Sequence, residues 1–289
     1  MNPLTVVELA SLVILTTFLA LMLRRGLAAS AVDPASTPAA ARKSALTDIA
    51  LLGAGAWIAE DTCIRLYDFY QYDAPWRLFV DRVPLLVAVI WPFVILSARE
   101  VCHALGLRTA SGRAHPVAVA IMVVYDAALV EPIAVRVGLW SWNEPGLFDV
   151  PWIGLLGWGF YAGVASACLD RLRGASRVAL LVLAPLGTHA LLLAAWWGGF
   201  RWGLREPLPA AAAMALSVAT AAGFTAIFFQ WRRANRMVDR ETMLPRMLAA
   251  ALFFGLLFWR GASVVPLVLY ALPFAGPYFM AMRYRSARA

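Results

Sequence analysis

The sequence predicts an all-α, polytopic transmembrane helical bundle, and three observations carry that prediction. Hydrophobic residues make up 62% of the 289-residue chain and charged ones only 15%, with a mean hydropathy of +0.72. An ordinary soluble domain is about 45–50% apolar and about 25% charged. The apolar residues fall into nine runs, near 5–23, 47–66, 83–98, 116–138, 151–169, 178–199, 208–231, 245–259 and 264–282. Most of these approach the roughly 20 residues that span a bilayer. The basic residues, finally, collect in the short gaps between runs. Seven to nine crossings are expected in a single transmembrane domain, because the last hairpin, 245–282, turns on Arg260-Gly261-Ala262-Ser263 alone.

Taken in order, the first run, Thr5–Leu23, exceeds a signal-peptide core and ends in Arg24-Arg25, so it reads as a true span. The gap 24–46 is rich in Ala, Ser and Pro and is expected to be a mobile cytoplasmic loop. Alternate gaps then divide the cations unequally. One side collects Arg24, Arg25, Arg42, Lys43, Arg99, Arg108, Arg113, Arg171, Arg173, Arg177, Arg232, Arg233, Arg236, Arg240, Arg246 and the C-terminal arginines. The other holds Arg65, Arg77, Arg82, Arg136, Arg201, Arg205 and Arg260. Positive charge marks the cytoplasmic side, which puts the C-terminus in and the N-terminus out. The net charge of +8 is therefore a topology signal and no argument for a nucleic-acid partner. Cys63, Cys102 and Cys168 are scattered in apolar settings, as small core residues are. No GxxxxGK[ST] or GxGxxG stretch offers a nucleotide loop, and no HxxxH or Asp-rich pair offers a metal site.

Several acids interrupt this apolar background, and they fall at one depth. With a helical rise of about 1.5 Å per residue, Glu60 and Asp61 lie roughly 20 Å into the second run, counted from the cytoplasmic side. Asp126 lies roughly 15 Å and Glu131 roughly 22 Å into the fourth, and His189 roughly 18 Å into the sixth. A charge in hydrocarbon is costly, so an intramembrane acid is a functional hypothesis by default. The connections YDFYQYDAPW (67–76) and LWSWNEPGLFDVPW (139–152) would close this layer with aromatic rings.

Each candidate has a plain structural alternative. Asp61, Arg65 and Asp68 share one helix face at i, i+4 and i+7, which suits an interfacial ion-pair stripe. Glu60 lies on another face, aligned with Trp57, Ile64 and Tyr67, with no cation near it in sequence. Without a partner, desolvation favours its neutral, proton-donating form; the alternative is a hydrogen bond to a neighbouring helix. Asp126 and Glu131 stand about 140° apart on a helix and face one point only if it is distorted. Pro132 is expected to break it and to free the carbonyl of Ala128. Trp140, Trp142, Trp152 and Trp158 suit an interfacial belt, and their ring faces also stabilise cations. His189 is either a packing hydrogen-bonder or a base. Trp196, Trp197, Trp202, Trp231 and Trp259 are expected at the membrane interface.

The pattern Asp126…Glu131-Pro132…Gly138-x-Trp140-x-Trp142…Pro151…Gly157-Trp158 resembles the integral-membrane carotenoid biosynthesis proteins, a family that includes carotenoid 1,2-hydratases and bisanhydrobacterioruberin hydratase-like enzymes. Glu60 through Tyr72, followed by Val83-Pro84-Leu85 and Trp91, extends the likeness, which covers about residues 55–165. One departure is Asp68, which stands where the family turn has glycine. The resemblance implies an enzyme that adds water across the terminal C=C of a linear polyisoprenoid, without a cofactor, in a bacterial or archaeal-type cytoplasmic membrane, alongside other enzymes of the pathway. It implies Glu60 or Asp126 as proton donor and Glu131 as the base that orients water. Trp57, Tyr67, Tyr70, Trp140, Trp142, Trp158 and His189 would then line the substrate. Two other classes remain open: a terpenoid or carotene cyclase using the same initiating acid, and a non-enzymatic lipid-binding protein or transporter.

Overall fold

The computed structural model describes residues 3–32, 37–72, 76–203, 209–233 and 238–280. Its helices are α1 (Pro3–Val32), α2 (Pro38–Tyr67), α3 (Leu85–Ala104), α4 (Pro116–Arg136), α5 (Trp152–Arg171) and α6 (Leu180–Ala195). They continue with a short α7 (Arg201–Gly203), α8 (Ala210–Arg233), α9 (Arg240–Leu256), α10 (Val265–Ala271) and α11 (Ala275–Met280). Among the described residues, seven helices are long and apolar enough to cross a membrane, as an integral membrane bundle requires. The two further runs expected from sequence fare differently. α2 is 30 residues long but carries Asp48, Glu60, Asp61 and Arg65. The last run is shorter, Val265–Phe279, and Pro266 and Pro273 divide it into α10, a 3-10 turn and α11.

The stretch 24–46, expected as a mobile loop, is helical up to Val32 and again from Pro38; residues 33–36 lie outside the described residues. Thr37 caps α2 by accepting from the Ala40 N–H, and Pro38 suits the first helical turn. α4 differs from expectation too, since it runs unbroken through Pro132. The carbonyl of Ala128, which lost its helical donor to Pro132, accepts the Tyr270 hydroxyl at 2.9 Å. A neighbouring segment thus satisfies the orphaned group, and the helix need not open.

Small residues decide which helices meet most closely. A methyl added at Gly159 of α5 would lie 2.5 Å from Val124 and 3.1 Å from the Ala120 carbonyl, and one at Gly163 would lie 3.1 Å from Ala120. This Gly-x-x-x-Gly face brings the backbones of α4 and α5 together without a hydrophobic driving force between helices. Ion pairs mark the two ends of the bundle. At one end Arg77 pairs with Glu8 at 3.0 Å, and Arg65 pairs with Asp61 at 2.8 Å and also with Asp81. At the other, Arg25 meets Glu100, Arg99 meets Asp170 and Arg177 meets Asp48, at 2.7, 2.7 and 2.8 Å. The expected Asp61–Arg65–Asp68 stripe therefore takes Asp81 in place of Asp68. The reason is local: α2 ends on Asp68, whose φ of 51° swings it off the helix face.

Two small antiparallel ladders complete the fold. β2 (Phe79–Val80) pairs with β3 (Val83–Pro84). β1 (Tyr70–Tyr72) pairs with β4 (Trp140–Trp142), in the register Tyr70↔Trp142, Gln71↔Ser141 and Tyr72↔Trp140. The aromatic connections expected to close the acid layer thus meet as a sheet. Residues 73–75 of the first connection and the side chain of Trp231 lie outside the described residues. Trp197, Trp202 and Trp259 are exposed on the bundle's rim, as interface anchors are.

Candidate active site

Two turns place the β1–β4 ladder over the bundle interior. α2 stops at Asp68, a left-handed residue whose N–H bonds the Ile64 carbonyl at 3.1 Å. Aspartate and asparagine tolerate this conformation better than most residues. α4 stops at Gly138, with φ at 75°. There the Leu139 N–H reaches the Ala134 carbonyl and the Gly138 N–H reaches Val135, each at 3.0 Å. That pair of bonds is the Schellman closure, which favours glycine at the left-handed position. Asn143 then ties the two turns together: its N–H donates to Phe69 at 2.8 Å and its side-chain amide to the Asp68 carbonyl at 2.7 Å.

Successive residues of a strand alternate faces, so Tyr70, Tyr72, Trp140 and Trp142 all point the same way. They point inward, where each strand serves one acid. Glu60 accepts from the Tyr70 hydroxyl at 3.1 Å, from the Tyr72 hydroxyl, and from the indole N–H of Trp91 on α3. Glu131 accepts from Trp140 at 2.7 Å and Trp142 at 2.9 Å on one oxygen, and from Trp158 of α5 at 2.7 Å on the other. A methyl at Gly154 would lie 2.6 Å from the Trp142 ring, so glycine is what admits that indole.

Both acids line a single cavity of about 230 Å³, walled by apolar and aromatic side chains. Asp126 lines it as well, but in a different bonding state. The Arg246 guanidinium of α9 forms an ion pair with it, and Tyr278 of α11 donates to it at 2.7 Å. Arg246 is itself buried and donates to the Ser97 hydroxyl at 2.9 Å.

The cavity therefore brings together Glu60, Asp126, Glu131, Tyr70, Trp140, Trp142 and Trp158 from among the residues singled out by sequence. Trp57, Tyr67 and His189 are not on its wall. The face of α2 turned inward is Ala56, Ala59, Glu60 and Cys63, at i, i+3, i+4 and i+7, which leaves Trp57 and Tyr67 on a flank. Trp57 donates to the Val80 carbonyl at 2.9 Å and braces the β2–β3 hairpin. Tyr67 packs on Phe69 and His189, and His189 bonds the Thr62 hydroxyl at 2.7 Å. Glu60 has partners after all, contrary to the expectation of an unpaired acid. They are hydroxyl and indole donors from tertiary neighbours, which no local sequence pattern announces. Tyr72, Trp91, Arg246 and Tyr278 are the site residues that sequence reasoning left out. The Tyr-x-Tyr and Trp-x-Trp spacing was the available signal for Tyr72; for the others there was none.

The family model for carotenoid biosynthesis proteins matches residues 20–220, a wider stretch than the motif likeness covered. No curated protein and no solved structure matches the chain. The matched region contains Glu60, Asp126, Glu131 and both strands of the aromatic ladder, while Arg246 and Tyr278 lie beyond it. With most of its length covered, this membrane-embedded chain belongs to the carotenoid biosynthesis protein family.

Proposed function

We propose that the protein adds water across the terminal C=C of a linear carotenoid or related polyisoprenoid by acid catalysis, with Glu60 as proton donor and Glu131 as a fixed anion. The observation that carries this reading is a difference in what surrounds the two acids. Glu131 is bonded by three indole N–H groups, which donate and never accept. Those partners match an ionised carboxylate. Glu60 has two phenols among its three partners, and a phenol hydroxyl rotates to accept as readily as it donates. A protonated Glu60 is thus accommodated where a protonated Glu131 is opposed. Two carboxyls held in different states by their surroundings are the usual arrangement of an acid–base pair.

The steps balance without a cofactor. Glu60 gives its proton to the less substituted alkene carbon; the π pair forms the new C–H bond and leaves a tertiary cation. The Glu131 carboxylate and the faces of Trp140, Trp142 and Trp158 stabilise that cation. Water adds to it, and the proton lost from the oxonium passes to Glu131. Transfer of that proton back to Glu60, directly or through one water, resets the pair. Asp126, held by Arg246 and Tyr278, is a positioning residue in this scheme and not the donor. The cation asymmetry between loops supports an N-terminus outside and a C-terminus inside a bacterial or archaeal-type cytoplasmic membrane.

The test is expression in cells that accumulate lycopene, grown with ¹⁸O-water. The expected product gains one water and carries the heavy oxygen. Glu60→Gln and Glu131→Gln are each expected to lower its yield by about 10²–10⁴-fold, the usual contribution of a general acid or base. Full activity in either variant sinks the assignment. A ring-containing product with no added oxygen would instead make the protein a cyclase that shares the initiating acid.

A further inference from the structure

The acid chamber's 230 Å³ is small beside the roughly 300–1,000 Å³ of ordinary ligand pockets, so it admits the end of a long chain and leaves the rest outside. A second depression lies against it. Its wall is Val6 of α1 with Ala251, Leu252, Gly255, Leu256 and Trp259 from α9 and the turn that follows, and all but Leu256 are at least partly exposed. Leu252 belongs to both walls. On α1 the adjacent residues Val6 and Val7 divide in the same way, Val6 to the outer depression and Val7 to the chamber. The seam between α1 and α9 therefore separates the chamber from the lipid-facing side by one layer of aliphatic side chains. α1 is a thin cover, with only 22% of its span buried.

We infer that the outer groove between α1 and α9 is a binding site for the body of a linear polyene whose reacting end occupies the acid chamber. The inference rests on the proposed function for the identity of that chain. The groove's chemistry suits a conjugated hydrocarbon: it is lined by aliphatic side chains and by the Trp259 indole, with no charged group on its wall. Its floor is open at Gly255, where an added Cβ would meet nothing within 4 Å. The same seam gives a hydrocarbon-soluble substrate a lateral route to the acids, with Leu252 as the side chain that must turn aside.

Gly255→Trp fills the groove without touching the acid chamber, and Gly223→Trp on α8, where the added Cβ is equally free, serves as control. The first readout is lycopene retained per protein after purification from lycopene-producing cells, which requires binding and no catalysis. Gly255→Trp is expected to lower retention by about 10-fold, equivalent to about 1.4 kcal/mol of lost contact. Gly223→Trp and the wild type should agree. The second readout is hydration of lycopene against hydration of myrcene, a short isoprenoid with the same terminal alkene. Gly255→Trp should slow the first and leave the second close to wild type. Unchanged lycopene retention, as expected if the groove holds only a lipid acyl chain, overturns the proposal; so does an equal loss in both tryptophan variants. If the wild type retains lycopene yet hydrates neither compound, the reaction assignment falls and the groove is judged on retention alone.

Discussion

Tyr72 and Trp140 face each other across the β1–β4 ladder with ring centroids 6.0 Å apart, yet they bond different acids. Tyr72 donates to Glu60 and Trp140 to Glu131. One pair of three-residue strands thus fixes the relative position of carboxyls from separate helices. Tyr72→Phe keeps the ring and its packing and removes only the hydroxyl. A hydrogen bond to a charged group is worth about 1.5–3 kcal/mol, so the variant should lose about 10–100-fold in product formation with little change in melting temperature. Wild-type turnover in Tyr72→Phe would remove the phenol from the mechanism.

The Asp126–Arg246 pair gives a sharper separation between holding and reacting. Removing one partner of a buried ion pair strands the other and costs about 3–5 kcal/mol, whereas replacing both with apolar residues is often neutral. Arg246→Met alone should therefore be poorly folded, and Asp126→Leu/Arg246→Met should recover most of the lost thermal stability. The double variant should also keep measurable product formation, since Asp126 has no proton to give in the proposed scheme. A double variant that is stable but wholly inactive would return Asp126 to the list of proton donors.

Pro132 and Tyr270 form a linked pair of the same kind. Pro132 takes away the N–H that would serve the Ala128 carbonyl, and the Tyr270 hydroxyl replaces it at 2.9 Å. Tyr270→Phe leaves a buried acceptor unmet, at about 1–3 kcal/mol. In a Pro132→Ala background the helix supplies its own donor, so the same substitution should cost much less. Equal shifts in melting temperature in the two backgrounds would show that the bond carries no such compensation.

Much of this arrangement is legible in the chain before any coordinates, and the physical reason is depth. A fixed rise per residue puts Glu60, Asp126 and Glu131 in one layer whatever the helices' directions. Rotation is harder. A step of about 100° per residue leaves a wide choice of which flank faces inward, and Trp57, Tyr67 and His189 fall on the wrong one. The ladder is nearly silent in sequence, because YQY and WSW are too short for periodicity and lie far apart in the chain. Arg246 resembles any membrane-edge arginine, about 9 Å from the start of α9, and only its tertiary partner reveals a different use. Asp68 is the opposite case. Its departure from the family's glycine coincides with a φ of 51°, so the odd residue marked a real conformational demand. Asp68→Gly should fold at least as well as wild type.

Gly154 is where a single methyl group tests the indole cluster. An added Cβ would lie 2.6 Å from the Trp142 ring, closer than packed atoms approach, so the ring must move and its 2.9 Å bond to Glu131 must lengthen or break. Trp140 and Trp158 remain bonded, which keeps the carboxylate in place but less well stabilised. Gly154→Ala is expected to lower product formation by about 10-fold, in line with one lost hydrogen bond to a charge. Gly157→Ala, whose new Cβ would stand an ordinary 3.6 Å from Leu192, should behave as wild type. The decisive comparison is with Trp142→Ala, which empties the space the methyl needs. If Gly154 acts only by admitting Trp142, then Gly154→Ala adds nothing in that background, and the two losses are strongly non-additive. Simple additivity would mean that the glycine serves helix packing, and that the indole's place over Glu131 does not depend on it.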